Sequence, residues 1–307
     1  MAAYIARRLL FSVFILWGAV SIVFVVLRLI PADPALLILG SDATQDEITA
    51  LRTQMGLDRP IIAQYGIFLT DLLRFDFGDS YRLQRDAMSL VLERLPATLE
   101  LAFTALAIAL LIGIPFGVLA ALRVNKTSDR IVSVLSLIAQ SLPSFWVGIV
   151  FILIFARTLH LLPSAGTGTP MHMILPAVTL ALPLIAILTR MTRSGLLEVI
   201  HEGYVQTARA KGLSERIVIF PHAIRNALIP IVTIVGLQFG QLLGGAVIVE
   251  MVFSWPGVGR MLIDSIGQRD YNLVQAVIVL IATGFVVINL VVDLLYGYLD
   301  PRVRLVK

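Results

Sequence analysis

The chain has 307 residues, of which 58% are hydrophobic and only 14% are Asp, Glu, Lys or Arg, and its mean hydropathy is +0.91. Soluble domains carry roughly a quarter charged residues, so this composition excludes an ordinary soluble domain and indicates a membrane protein. The net charge of +4 is interpreted as an orientation signal and not as a nucleic-acid surface. The absence of cysteine excludes disulfides, thiolate catalysis and zinc–thiolate sites.

Long stretches without charged residues predict six transmembrane helices, because a helix needs about 20 mostly apolar residues to cross a bilayer. In chain order they are Leu9–Leu27, Leu101–Leu122, Ile131–Ala156, Ile174–Thr189, Asn226–Val249 and Tyr271–Val292. The predicted fold is therefore an all-α membrane protein.

The distribution of Lys and Arg predicts which end of this bundle faces the cytoplasm. If both termini are inside, the inner segments 1–8, 123–130, 190–225 and 293–307 hold 14 of the 24 basic residues, and the short outer loops 157–173 and 250–270 hold three. The remaining outer segment, 28–100, is long, and long segments cross a membrane largely regardless of their charge. Both termini are therefore predicted to be cytoplasmic.

The long outer segment is predicted to be helical. Thr44–Glu47 fits a capping box at a helix start, and Gly56 is typical of the residue after a helix end. Asp58–Pro60 predicts a second helix start, and a third short helix is expected over about Asp86–Leu95, ahead of the second span. This segment either covers the mouths of the membrane helices or docks an external partner.

The fifth span carries small and polar residues at helical spacing, namely Gly236, Gln238, Gly240, Gln241 and Gly244. Glycines four residues apart let a neighbouring helix approach closely, so helix packing is the expected role. A translocation pathway beside this face is the functional alternative, since polar side chains at membrane depth seldom face lipid.

The sequence contains none of the common catalytic or nucleotide-binding motifs. It has no Gly-x-x-x-x-Gly-Lys-Ser/Thr, no His-Glu-x-x-His and no Gly-x-Ser-x-Gly, so it cannot bind ATP with a P-loop of its own. His160 and His172 are both predicted on the outer side, but they lack the carboxylates of a typical metal site. Asp293, at the inner end of the last span, is expected to be solvated or in a salt bridge.

The stretch 204–230 interrupts the apolar chain with acidic and basic residues. An amphipathic helix is predicted from about Gly195, Gly212 is a typical helix stop, and Ser214 is a typical N-cap for a second helix. Pro221 predicts a kink in that second helix. The two helices either lie on anionic lipid or form a knob for a cytoplasmic protein, and the break at Gly212 favours the knob.

This stretch resembles the cytoplasmic coupling loop of the membrane subunits of binding-protein-dependent ABC importers, in their peptide and nickel branch. The resemblance rests on Thr207–Ser214 and His222–Pro230, with Gln206 and Thr207 standing where many members have Glu and Ala. It continues through Gly56–Pro60, Phe75–Gly78, Leu95–Leu101, Phe253–Arg260, Arg269–Tyr271 and Asp300–Arg302. The coupling residues that it implies are Gln206, Thr207, Ala208, Arg209, Ala210, Lys211, Gly212, Leu213, Ser214, His222, Arg225 and Asn226.

The resemblance implies a permease subunit with the type I ABC importer fold, in a bacterial inner membrane and without a cofactor of its own. Two cytoplasmic ATPase subunits, with ATP and Mg²⁺, would drive it. A second homologous permease subunit would complete a heterodimeric pore, and an extracytoplasmic solute-binding protein would deliver the cargo. Di- or oligopeptides are the implied cargo, with glutathione or nickel as alternatives.

The rival class of protein is a secondary transporter that works without ATP. It predicts inverted repeats and charges near the bilayer midplane, and the sequence shows no clear repeat. Nucleic acid is not an expected partner, because the basic residues lack interleaved aromatic residues.

The predicted organisation has four parts. They are an N-terminal segment with the first helix over 1–30, an extracytoplasmic helical segment over 31–96, a five-helix core over 97–300 with the coupling loop at 195–229, and a cytoplasmic tail over 301–307.

Overall fold

The computed structural model describes residues 2–29, 34–40 and 43–299, which form helices joined by loops. The first half contains α1 (Ala2–Leu29), α2 (Pro34–Leu39), α3 (Gln45–Gln54), α4 (Ile61–Leu73), α5 (Ala87–Leu122), α6 (Thr127–Ser141) and α7 (Ser144–Phe151), which continues as a π-helix over Ile152–Thr158. The second half contains α8 (Met171–Val199), α9 (Gly203–Ala210), α10 (Glu215–Ile217), a π-helix over Val218–Ile224, α11 (Arg225–Ala227), α12 (Ile229–Val252), α13 (Val258–Gly267) and α14 (Tyr271–Leu299).

Five of these helices, α1, α5, α8, α12 and α14, are long and apolar enough to cross a membrane, and the α6–α7 pair makes a sixth crossing if it is counted as one bent span. The prediction of an all-α membrane protein is confirmed.

The third span was predicted as one helix over Ile131–Ala156, and the structure differs. It is bent by 103° between α6 and α7. Leu142 is extended, with ψ 130°, and Pro143 is the N-cap of α7. The ring of a proline clashes with a preceding residue in the helical conformation, so the Leu142–Pro143 step ends α6 and redirects the chain.

The second span is longer than predicted, because it includes the short helix expected over Asp86–Leu95. Asp86 caps α5, and its carboxylate accepts a hydrogen bond from the Ser89 N–H at 2.6 Å. The helix then runs 36 residues through Pro96 and Pro115 without a break. At 1.5 Å per residue, α5 is about 54 Å long.

The capping box of the outer segment is present as predicted. The Thr44 N–H donates to Glu47 Oε2 at 2.9 Å, and the Glu47 N–H donates to Thr44 Oγ1 at 3.4 Å. The hydrogen bonds from Thr44 lower the pKa of the Glu47 carboxyl. Gly56 has φ +66°, as its predicted place after α3 requires.

The second helix of the outer segment begins directly after the predicted Asp58–Pro60. Pro60, and not Asp58, is the N-cap of α4, and no side chain caps that helix. The fixed φ of proline suits a helix start without any side-chain acceptor.

Two apolar cores hold the bundle together. The larger lies among α5, α8 and α12 and includes Leu101, Leu184, Leu188, Ala246 and Phe253. The smaller joins α1, α4 and the start of α5 to α14 through Val20, Phe24, Phe68, Val91 and Val277. The second half of the bent span also packs against the larger core, through Phe151, Ile152 and Phe155.

Close contact between α5 and α8 depends on glycine. A Cβ at Gly117 would lie 2.5 Å from Thr192 Cβ and 2.6 Å from the Thr189 carbonyl oxygen, and one at Gly113 would lie 2.9 Å from Leu188 Cβ. Backbone and Cβ atoms cannot move aside as a flexible side chain can, so these glycines fix the distance between the two helices.

The ends of α5 define the two faces of the molecule. At its first end, the loop before α5 is tied to the start of α14, where the buried Ser80 hydroxyl donates to Asp270 Oδ2 at 2.5 Å. Burial there, followed by the Asp270 charge, raises the pKa of Tyr81 to about 12. At its other end, Ala121 packs against Ala223 and Ala227 of the 204–230 stretch. The predicted outer segment and that stretch therefore lie at opposite ends of the bundle.

Candidate functional site

Residues 203–228, which we call the knob, form the helical interruption at one end of the bundle. The first helix, α9, ends at Ala210, and Gly212 follows with φ +75°, which is a left-handed conformation that favours glycine. The Gly212 N–H donates to the Arg209 carbonyl at 2.9 Å. The second helix begins after Ser214, which is its N-cap by backbone conformation, although the hydroxyl makes no capping bond. The predicted break and restart are both present.

An ion pair bridges the break. Arg209 Nε lies 2.9 Å from Glu215 Oε1, and a second guanidinium nitrogen of Arg209 lies 3.4 Å from the Ile200 carbonyl oxygen. The sequence placed Arg209 among the residues that contact a partner. The structure turns its head group toward the knob itself, where it holds α9 and α10 at a fixed angle.

The knob rests on the membrane helices through a small apolar seam. Val205 and Val218 have no exposed surface and pack with Ala208 against Val199 at the end of α8. A Cβ at Gly195 would lie 3.3 Å from the Ala227 carbonyl, so the knob backbone approaches α8 closely. These contacts pack the knob tightly against the end of α8.

A polar contact closes the knob upon itself. The Asn226 side-chain amide donates to the Tyr204 hydroxyl at 2.8 Å and so joins the end of the knob to its beginning. Asn226 was predicted as a coupling residue, and the structure places it at this internal contact.

The surface that the knob presents is partly apolar. Leu213, Ile217 and Phe220 are 39%, 49% and 63% exposed. In the same stretch Gln206, Thr207, Lys211 and Ser214 are exposed and polar, and Ala210 is exposed and apolar; all five were predicted. An apolar patch accompanied by polar residues on an exposed loop is typical of a surface for a protein partner.

Two of these apolar residues were missed by the sequence analysis. Ile217 and Phe220 stand three residues apart, a spacing that puts both on one side of a helical turn. In the sequence alone they are indistinguishable from the buried Val218 and Ile219.

Pro221 lies in the π-helix Val218–Ile224. The predicted kink is thus a widened turn, which tolerates the missing proline N–H better than a regular helix does. The side chains of Pro221, His222 and Arg225 lie outside the described residues, and so does that of Asp293.

A bidentate ion pair lies near the knob, between α6 and α8. Arg193 Nε lies 2.6 Å from Asp129 Oδ1, and a second guanidinium nitrogen lies 2.9 Å from Oδ2. The Asn125 N–H also donates to this carboxylate at 2.9 Å. Arg193 is six residues before Val199, so this clamp joins the bent span to the helix that carries the knob.

The fifth-span residues fall into two groups. Gly236 and Gly240 lie against α14. An added Cβ at Gly236 would overlap Val292, and one at Gly240 would lie 3.0 Å from Phe285. Gly244 faces open space, with nothing within 4 Å of an added Cβ. Gln241 is exposed and Gln238 is half-buried. The structure therefore separates a packing pair of glycines from residues that remain accessible in the single chain.

A buried carboxylate at the outer end of α12 was also missed. Glu250 is 0% exposed, accepts from the Thr98 hydroxyl at 2.6 Å and accepts from the Arg260 N–H at 3.0 Å. The Val258 N–H in turn donates to Thr98 Oγ1 at 2.8 Å. A side chain at Gly257 would collide with the carboxylate. Glu250 therefore joins α5 and α12 to the first turn of α13. In the sequence, the only signal of this role is a carboxylate placed shortly before Trp255-Pro256-Gly257.

The two histidines predicted on the outer side each contact a nearby threonine. His160 Nδ1 lies 3.2 Å from the Thr158 carbonyl, and His172 Nδ1 lies 2.9 Å from Thr169 Oγ1. Across residues 2–29, 34–40 and 43–299, no group of three or more His, Cys, Asp or Glu could hold a metal.

The spanning helices, with the knob at one end, define a multi-span helical membrane protein. Solved structures of ABC transporters match this architecture. Chains of the inward-facing MetNI methionine ABC transporter match 69% of this chain and 97% of their own, with a TM-score of 0.59 at 21% identity. An amino acid ABC transporter matches 70% of this chain and 94% of its own, with a TM-score of 0.52. At this identity the likeness shows the fold alone.

Sequence relatives show the family. The chain belongs to the inner membrane components of binding-protein-dependent transport systems: the family model of that description matches residues 113–305, and the model of the N-terminal membrane component matches residues 1–102. The dipeptide transport system permease protein DppB of Alkalihalophilus pseudofirmus is 39% identical over 99% of this chain and 100% of its own. The glutathione transport system permease protein GsiC is 41% identical in Salmonella choleraesuis and 40% in Escherichia coli K12, over 99% of each chain.

These findings confirm the predicted class. The chain is a multi-pass permease subunit of an ABC importer in the inner membrane, a transport subunit and not an enzyme.

Proposed function

We propose that this permease imports di- or oligopeptides, and that the knob receives the force of ATP-driven closure from a cytoplasmic ATPase. The observation that carries the coupling role is the knob itself, a braced pair of helices with an exposed apolar patch at Leu213, Ile217 and Phe220. The chain has no P-loop, so the ATPase subunits must supply ATP binding with Mg²⁺.

The coupling mechanism follows from the rigid connection of the knob to α8. Arg209–Glu215 fixes the angle inside the knob, the Val205–Val218 seam fixes the knob to α8, and Arg193–Asp129 extends that unit to α6. When two ATPase subunits close, each knob would be drawn along, and the helices would move as rigid bodies between inward-open and outward-open states.

The accessible membrane face supports the rest of the proposed assembly. Gly244 and Gln241 are uncovered in the single chain. A second, homologous permease subunit would cover that side and complete a heterodimeric pore. A solute-binding protein would deliver cargo at the face opposite the knob, and both termini would be cytoplasmic.

The cargo proposal rests on the named relatives. A dipeptide permease and a glutathione permease are similar to this chain over nearly its whole length, at 39% and 41% identity. Glutathione is itself a small peptide, so both relatives fit a peptide cargo, and glutathione is the second candidate.

The coupling role is tested by Gly212→Pro in the assembled complex. Proline requires φ near −65°, whereas Gly212 has φ +75°, so the turn between α9 and α10 cannot form. We expect transport into proteoliposomes to fall at least tenfold while the ATPase subunits still hydrolyse ATP, because the membrane helices do not depend on this turn.

Gly203→Ala is the matched control, since Gly203 lies in the same knob with nothing within 4 Å of an added Cβ. Normal transport by Gly212→Pro would show that the knob does not couple. Transport driven by a complex with inactive ATPase subunits would instead favour a secondary transporter. Uptake of labelled dipeptide, glutathione and Ni²⁺ by the same vesicles identifies the cargo.

A further inference from the structure

We infer that a cleft on the outer face, opposite the knob, is a carboxylate-binding site that docks acidic side chains of the external solute-binding protein. The inference rests on the proposed function, which supplies that partner. We call it the arginine cleft, and its volume is about 300 Å³. Arg82, Arg94 and Arg260 line it from three separate elements, namely the loop before α5, α5 itself and α13.

The lining of the cleft carries more positive than negative charge. Its lining has a single carboxylate, Asp264, which lies 3.7 Å from Arg260. Nearby on α5, Glu93 is paired with Arg85 and is also attracted by the Arg94 charge, and Asp86 caps the helix. Within the described part of the chain, neither Arg82 nor Arg94 has a hydrogen bond or an ion pair, and both side chains are exposed. The Arg82 and Arg94 guanidinium groups are thus accessible to anions from outside the chain.

The walls of the cleft are rigid. Leu83, next to Arg82, donates its N–H to the buried Ser80 hydroxyl at 3.1 Å, and Ser80 is bound to Asp270. The Arg260 N–H donates to the buried Glu250 carboxylate, and its guanidinium donates to the Ser254 carbonyl at 2.8 Å. Anchored backbones reduce the entropy that binding removes, which is a property of a recognition surface.

The chemistry and position of the cleft favour a protein partner over the cargo. Guanidinium groups bind carboxylates with two parallel hydrogen bonds. Arginines on separate elements call for more than one carboxylate, which a protein surface supplies and a single dipeptide does not. The cleft also opens on the outer surface between a loop and a short helix, and not among the spanning helices.

The experiment uses the whole importer in nanodiscs of phosphatidylcholine, a lipid without net charge. The partner is a cargo-loaded binding protein that stimulates ATP hydrolysis by the unaltered complex. The rate of ATP hydrolysis is measured while the concentration of this binding protein is varied. For Arg82→Glu combined with Arg94→Glu, we expect the half-saturating concentration to rise about tenfold at low salt, and less at high salt. Basal hydrolysis and the rate at saturation stay unchanged.

Two further variants keep the result interpretable. Arg82→Gln combined with Arg94→Gln removes the charge without reversing it, and should raise the half-saturating concentration by a smaller factor. Arg74→Glu reverses an exposed arginine of the outer segment that does not line the cleft, and should have no effect.

Unchanged half-saturation in both double variants overturns the inference. So does a loss confined to peptide cargo with a free carboxyl terminus and absent for the amidated peptide, since the arginines would then bind cargo. Failure of the proposed function appears differently, because no binding protein would stimulate even the unaltered complex.

Discussion

At the scale of single residues, Glu250 shows how this membrane protein keeps a carboxylate without exposed surface. Among the described residues its partners are the Thr98 hydroxyl and backbone N–H groups at the start of α13. The first N–H groups of a helix have no partner within the helix, and they attract negative charge. Glu250 therefore satisfies donors that would otherwise be buried and unpaired, and it fixes the direction of the chain after α12.

Glu250→Ala should lower the stability of the purified protein by about 3 kcal/mol, because it leaves the Thr98 hydroxyl and the α13 N–H groups buried without an acceptor. Glu250→Gln should lower it less, since one oxygen remains. The measurement is thermal unfolding in detergent. Glu198→Ala, at an exposed carboxylate of α8, is the control, and equal loss in it and Glu250→Ala would contradict the proposed anchor.

At the scale of elements, the arrangement of α6 and α8 depends on one ion pair. The Asp129 side chain is 5% exposed and the Arg193 side chain 28% exposed, so water screens their attraction little. Because the third span turns by 103° after α6, α6 has only its own packing and this clamp to hold it beside α8.

Asp129→Ala should destabilise the protein by about 1.5–3 kcal/mol, because it leaves the partly buried Arg193 guanidinium without its carboxylate. Arg193→Lys should also destabilise it, since an ammonium cannot form two parallel hydrogen bonds with a carboxylate. The Asp129→Ala, Arg193→Ala double variant should be more stable than the sum of the single changes predicts. Additive losses in a double-mutant cycle by thermal unfolding would show that the two residues act independently.

The sequence was sufficient to predict those elements whose backbone conformation is determined by neighbouring residues. Thr44 with Glu47, and Gly212, determine their own backbone within a few residues, so the capping box and the knob break were both found. The bend at Leu142–Pro143 was missed because hydropathy continues unbroken through it. The burial of Glu250 and the exposure of Phe220 were missed for another reason. Both depend on residues that are distant in the chain, as Thr98 is from Glu250.

At the scale of the whole molecule, the absence of cysteine makes the orientation directly measurable. Each introduced cysteine is the only thiol of the chain. Leu213 on the knob and Asp58 in the outer segment are both exposed, at opposite ends of the bundle. A thiol reagent that cannot cross membranes therefore reports which end faces outside.

With the chain expressed without its ATPase subunits, Asp58→Cys should react with a membrane-impermeant maleimide in spheroplasts. Leu213→Cys should react only after the membrane is opened. The reverse pattern would place the termini outside. Gly212→Cys is avoided because it would strain the turn.

The length of α5 has a mechanical consequence. A single helix of about 54 Å exceeds the roughly 30 Å hydrocarbon layer, and it touches the knob at Ala121 and carries an arginine of the cleft at Arg94. As a rigid rod that pivots within the membrane, α5 would therefore move both of its ends when it tilts. A tilt of about 5° displaces one end of such a rod by about 5 Å relative to the other. Under the proposed coupling, a tilt that starts at the knob would therefore also move the arginine cleft at the opposite face.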